Sequence, residues 1–156
     1  MANLGSGTER RQLADLGAVA ASCDAWNLPL LVMIYARGPR IADPHDPVLL
    51  AHAVNIAADL GADLVKTAIA LPLDRMAEVV ASCPVPVLAA GGVPDGSDLV
   101  GHGAAAMRAG CRGLAVGRRI FSAPSPRTLM SQLTTIVHAD RTGAPTRQPI
   151  IEAGVA

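Results

Sequence analysis

Leu60-Gly61-Ala62-Asp63-Leu64-Val65-Lys66-Thr67-Ala68-Ile69 reads as a helix end, a glycine stop and a buried strand in immediate succession. Upstream of the stop, Leu49, Ala53, Ile56 and Leu60 form an apolar stripe at helical spacing. The helix begins at Asp46-Pro47, a good N-cap followed by a proline whose missing N–H costs nothing in the first turn. Downstream, the run Asp63 to Ile69 is apolar without strict alternation, the pattern of a parallel strand covered on both faces. Ala109-Gly110-Cys111-Arg112-Gly113-Leu114 solves the same helix-to-strand turn in the same way.

Working outward, similar apolar runs lie at Pro29 to Tyr35, Val85 to Gly91 and Gly113 to Phe121. Two more helical stripes join Leu13, Leu16, Ala20 and Cys23, and Leu129, Leu133 and Ile136. Asp95-Gly96-Ser97 is expected to open a further helix that ends at Gly110. The order is one helix and then four βα units, which makes an α/β fold with a parallel sheet and right-handed crossovers. Two architectures fit: a small open doubly wound sheet, or half of a (β/α)8 TIM barrel, which normally needs about 250 residues. The tail 141–156, with Gly143, Pro145 and Pro149, is expected to be loosely ordered, leaving 1–140 as the folded unit.

Composition removes several classes of function. The 156 residues carry no net formal charge, no long basic run and only Trp26, Tyr35 and Phe121 as aromatics, which argues against nucleic-acid binding. The core must therefore be built from Ala, Val, Leu and Ile. The first residues lack the apolar stretch of a signal peptide, and no apolar run is long enough to span a bilayer, so a cytoplasmic protein without membrane partners is expected. Cys23, Cys83 and Cys111 are widely spaced and odd in number, which fits reduced, buried thiols.

Lys66 is the only lysine beside twelve arginines. A guanidinium stays protonated, whereas a desolvated lysine amine can attack a carbonyl and form a Schiff base. Active sites of parallel α/β folds lie at the C-terminal ends of the strands, where Tyr35, Arg37, Lys66, Gly91-Gly92 and Gly117-Arg118 all fall. Tyr35 beside Lys66 makes a proton-transfer pair for making and breaking an imine. Gly91, Gly92, Gly117 and Arg118 suggest a phosphate cradle, with Arg118 or Arg119 as a charged fork. His45, His52, His102 and His138 have no metal-ligand spacing, so no metal site is expected. Asp43 and Asp46 are read as loop-shaping and helix-capping groups.

Ile34-Tyr35-Ala36-Arg37-Gly38, Val65-Lys66-Thr67, Ala90-Gly91-Gly92 and Ala115-Val116-Gly117-Arg118-Arg119-Ile120-Phe121 together resemble the archaeal-type class I fructose-bisphosphate aldolase family. That family includes the related amino-dideoxy-heptulosonate synthases. The resemblance runs from about Asn3 to His138 and implies the C-terminal half of a (β/α)8 barrel. It implies further that Lys66 forms the Schiff base with a ketose phosphate, that Tyr35 is the acid–base residue, and that Gly91, Gly92, Gly117 and Arg118 hold the phosphate. Asn3-Leu4-Gly5-Ser6 looks like the end of the family's fourth strand. Ala36, Val93 and Arg119 stand where the family usually has proline, proline and asparagine, and no residue here matches the aspartate of its first strand.

These features imply a carbon–carbon lyase that needs no cofactor and acts on a phosphorylated sugar or small aldehyde. Fructose 1,6-bisphosphate and dihydroxyacetone phosphate are the first choice of substrate. A transaldolase-type heptulosonate phosphate synthase is one alternative, and a non-catalytic phosphate-binding remnant is another. Half a barrel leaves two open sheet edges and an open lumen, so association with itself or with a separate N-terminal half is expected.

Overall fold

The computed structural model describes residues 1–92 and 98–139. Both the Asp95-Gly96-Ser97 helix start and the tail 141–156 lie outside those residues. Five parallel strands, β1 (Ala2–Leu4), β2 (Leu31–Ala36), β3 (Leu64–Thr67), β4 (Val87–Ala90) and β5 (Gly113–Ala115), stand side by side in chain order. The helices are α1 (Glu9–Ala25), α2 (Pro47–Asp59), α3 (Met76–Ser82), α4 (Leu99–Arg108), the single turn α5 (Arg118–Phe121) and α6 (Pro126–His138). Leu73–Arg75 forms a 3₁₀ turn leading into α3.

This strand order separates the two architectures. A doubly wound sheet reverses its order at a switch point and takes helices on both faces. Here the order never reverses, and the right-handed crossover that parallel βαβ units take then puts successive helices on one side. α1 packs on β1, α2 on β2 and β3, and α2 touches α3. The molecule is an arc of a (β/α)8 barrel, one strand longer than periodicity alone indicates. The extra strand is β1, where the apolar pattern is too short to register.

Alternate strand residues are buried under the helices. Ala2, Leu4, Val32, Ile34, Ala36, Val65, Thr67, Val87 and Ala89 meet Leu50, Ala53, Val54, Ala57, Met76 and Val79 in one core. As composition requires, this core holds no Trp or Phe. Burial pushes the Cys111 thiol up to about 11, in keeping with a thiol that serves as a small apolar filler.

Two turns predicted to be alike are alike bond for bond. Ala62 N–H donates to Ala57 O and Gly61 N–H to Ala58 O; Cys111 N–H donates to Ala106 O and Gly110 N–H to Met107 O. Gly61 and Gly110 sit at φ +94° and +96°, so both helices end in Schellman motifs. The end of α1 has the same two bonds, from Leu28 and Asn27, with Asn27 at φ +51° in the glycine position. Asp46 caps α2 by accepting from Val48 N–H, and Asp43 accepts from His45 N–H, the loop and cap roles expected of them.

One strand assignment needs correction. Gly113 to Phe121 is not a single strand: β5 stops at Ala115, and Arg118–Phe121 turns helical. Ile120 and Phe121 both donate backbone N–H groups to Gly117 O. Ile120 packs on Leu99 and Leu133, while Phe121 is 83% exposed. An apolar run at the end of a chain segment carries no mark of this division. α3 fills the helix position that the βα order requires after β3, burying Met76 and Val79 with Val80 and Cys83 beside them.

β1 has an outer edge with no strand beside it among the described residues. Its Leu4 carbonyl accepts from Arg37 N–H on the β2 side, so Asn3 and Gly5 turn their N–H groups outward. α1 supplies their acceptors: Gln12 Oε1 at 2.7 Å from Asn3 N and Glu9 Oε2 at 2.6 Å from Gly5 N.

Candidate active site

The helix-free face of the sheet carries the second set of alternate residues. Register places Met33, Lys66, Leu88 and Gly113 in one row across β2 to β5. Lys66 therefore rises between a methionine and a leucine, half-buried, with no ion-pair partner among the described residues. Its chain neighbours Val65 and Thr67 point the other way and are fully buried.

Tyr35 lies on the same face as Lys66, on the adjacent strand and two residues nearer the C-terminal ends. Strands about 4.8 Å apart and a two-residue step of about 6.6 Å leave the two side chains within reach of one small molecule. Burial raises the Tyr35 phenol above its ordinary value, while the positive charges of Arg37 and then Arg118 pull it back. It thus remains a protonated donor through neutral pH. The Arg37 guanidinium stands over the Tyr35 ring, 5.1 Å from its centroid. Asn3 pairs with Tyr35 across β1–β2, and its buried Oδ1 lacks a hydrogen-bond partner. Sequence reasoning missed Asn3 as a site neighbour because only the strand register brings it there.

Gly91-Gly92 and Gly117-Arg118 follow β4 and β5, whose last residues Ala90 and Ala115 are paired. Arg119 Nη1 donates to Gly91 O at 3.1 Å and so ties one loop to the other. The glycines have different local demands. A Cβ at Gly91 would come within 2.5 Å of Val116 Cγ1. Gly92 sits at φ +70°, with open space where its Cβ would be. Gly91→Ala should therefore destabilise the chain by about 1–3 kcal/mol through overpacking. Gly92→Ala should cost about 1–2 kcal/mol through backbone strain. Urea unfolding measures both, and a Gly92→Ala protein as stable as the parent would contradict the backbone assignment.

The alignment of these features has a counterpart in known proteins. The model of the DeoC/LacD family aldolases matches residues 1–123. The chain belongs to the DeoC/LacD aldolase family. Within that family it is 48% identical over 149 residues to a 2-amino-4,5-dihydroxy-6-oxo-7-(phosphonooxy)heptanoate synthase of Streptomyces griseus, covering 94% of this chain and 54% of the relative. It is 39% identical to a 2-amino-3,7-dideoxy-D-threo-hept-6-ulosonate synthase of Halobacterium salinarum, over 88% of this chain and 52% of the relative. Among solved structures, a Schiff-base-forming fructose-1,6-bisphosphate aldolase matches with a TM-score of 0.80 and 26% identity, over 86% of this chain and 56% of that one. The chain spans about half the length of the curated relatives it matches.

A cavity of about 620 Å³ lies elsewhere, lined by Gly5, Ser6, Glu9, Arg10, Leu13 and Arg40. Neither Lys66 nor Tyr35 lines it. Its position beside the outer edge of β1 is where a closed barrel would pack the preceding βα unit, whereas an open arc leaves Lys66 on a face and not in a cavity. The described residues contain no group of three or more potential metal ligands, and no helix among them is long and apolar enough to cross a membrane.

Proposed function

We propose that this chain carries the imine-forming machinery of a class I carbon–carbon lyase or synthase acting on a ketose phosphate. The observation that carries the proposal is the shared helix-free face: the sole lysine, flanked by Met33 and Leu88, with Tyr35 one step above it. The apolar flanks leave Lys66 as the one amine in its row, placed where a substrate carbonyl can meet it. Neutral Lys66 Nζ attacks the ketone carbon to give a carbinolamine. Tyr35 donates a proton to the departing hydroxyl, water leaves, and a protonated imine remains. That imine is an electron sink: loss of a proton from the adjacent carbon gives an enamine, which attacks an aldehyde carbon to make the new bond. Hydrolysis of the imine releases product and restores the amine. Gly91, Gly92, Gly117 and Arg118 hold the phosphate.

Between the two substrate readings, identity supports the heptulosonate-type synthase, at 48%, over a fructose-bisphosphate aldolase of Thermoproteus tenax, at 29%. The product in that relative's name divides by retro-aldol cleavage between carbons 4 and 5 into dihydroxyacetone phosphate and 2-amino-4-oxobutanoate. With a chimaera that places the upstream half of the Streptomyces griseus relative before Met1, condensation of dihydroxyacetone phosphate should run at least about tenfold faster with 2-amino-4-oxobutanoate than with glyceraldehyde 3-phosphate, a preference of about 1.4 kcal/mol. The reverse preference would restore the fructose-bisphosphate reading.

A further inference from the structure

We propose that Arg37 is the specificity residue of this site, binding a carboxylate at the end of the substrate remote from the phosphate. The proposal rests on the ketose-phosphate reading above and adds the residue that recognises the second substrate's far end.

Arg37 immediately follows β2, and its backbone is pinned by the 2.9 Å bond from its N–H to Leu4 O. Its guanidinium is held over the Tyr35 ring at 5.1 Å and is otherwise exposed. Among the described residues it has no ion-pair partner, unlike Arg40 with Glu9 or Arg75 with Glu78. The carboxylates of neighbouring loops are engaged elsewhere: Asp43 with His45 N–H, Asp46 with Val48 N–H, and Glu9 with Gly5 N–H and Arg40. A cation is thus fixed at the mouth of the site, with its hydrogen-bonding edge left for a ligand. Stacking on an aromatic face orients a guanidinium while leaving its N–H fork free for bidentate recognition of a carboxylate.

Strand order gives this cation its place in the reaction. Lys66 on β3 lies between Arg37 at the end of β2 and the glycine loops with Arg118 beyond β4 and β5. A ketose phosphate held as an imine on Lys66, with its phosphate toward β4 and β5, presents its reacting carbon toward β2. The aldehyde joined there carries its far end to Arg37. For 2-amino-4-oxobutanoate, that far end is a carboxylate.

Calorimetric titration of the chain with three probes that match the seven-carbon span from phosphate to carboxylate tests this: 7-(phosphonooxy)heptanoate, heptyl phosphate and heptane-1,7-diyl bisphosphate. The carboxylate-bearing probe should bind about tenfold or more tightly than heptyl phosphate, equivalent to about 1.4 kcal/mol. It should also bind more tightly than the bisphosphate. Arg37→Met should erase the advantage over heptyl phosphate while leaving the heptyl phosphate affinity unchanged. Arg37→Lys should retain only part of it, because an ammonium lacks the planar fork. Equal binding of the first two probes, or an Arg37→Met protein that keeps the difference, would overturn the proposal. Tighter binding of the bisphosphate would overturn the carboxylate assignment in favour of a second phosphate. If neither monophosphate-bearing probe binds, the phosphate cradle itself falls, and this proposal with it.

Discussion

Borohydride added to the chain with dihydroxyacetone phosphate is expected to leave a stable secondary amine on a single residue, Lys66. Reduction converts the reversible imine into a bond that survives digestion, so mass spectrometry should place the added three-carbon phosphate on the peptide containing Val65-Lys66-Thr67. Every group invoked for this first half of the reaction lies within β2 to α5, so the trapping needs no segment beyond those in hand. Lys66→Ala should abolish the adduct. In the chimaera that turns over, the same substitution should lower kcat by about 10⁴-fold or more, the scale on which loss of a covalent nucleophile is felt. Adduct formation that persists in Lys66→Ala, or turnover equal to the parent, would dismiss the imine mechanism.

The chain by itself is expected to self-associate and to bind a dye such as ANS strongly. On the helix-free face Leu31 is 41% exposed and Met33 36%, with Leu64 and Leu88 partly exposed beside them. Contiguous apolar area of this kind is rare on monomers and drives association. Self-pairing is a poor remedy, because two five-stranded arcs exceed the eight strands with which this barrel closes. Replacing Leu31 and Met33 together by lysine and glutamate should therefore reduce dye binding several-fold and shift light scattering toward monomer. A parent chain that elutes as a sharp monomer, unfolds cooperatively and binds no dye would show that the face is covered some other way.

Much of this was legible in the sequence because the turns are chemically explicit. Asp46-Pro47, Gly61 and Gly110 mark helix ends through hydrogen-bond and φ requirements that few residues meet. Lys66 stood out by being the only amine in a chain otherwise charged by arginine. Features that depend on neighbours distant in the chain were less legible. β1 is three residues long, too short for periodicity; the resemblance of Asn3-Leu4-Gly5-Ser6 to a strand end marked it, and its pairing with β2 bears that out. The helical turn at Arg118–Phe121 depends on Ile120 finding Leu99 and Leu133, and the requirement for glycine at 91 on Val116 across the sheet. Asn27 escaped notice because it occupies a φ that glycine usually takes.

The way α1 covers the outer edge of β1 makes strand addition an exchange reaction. Gln12 and Glu9 already occupy the N–H groups of Asn3 and Gly5, and Glu9 also holds Arg40 at 3.3 Å. An incoming strand must displace these side-chain acceptors, so it gains few net hydrogen bonds there. Its binding free energy has to come from covering the apolar face, which makes recognition at this edge depend on side-chain fit in the lumen more than on backbone pairing. The same occupancy shields the edge from indiscriminate strand stacking, so α1 acts as a built-in gatekeeper of its own sheet.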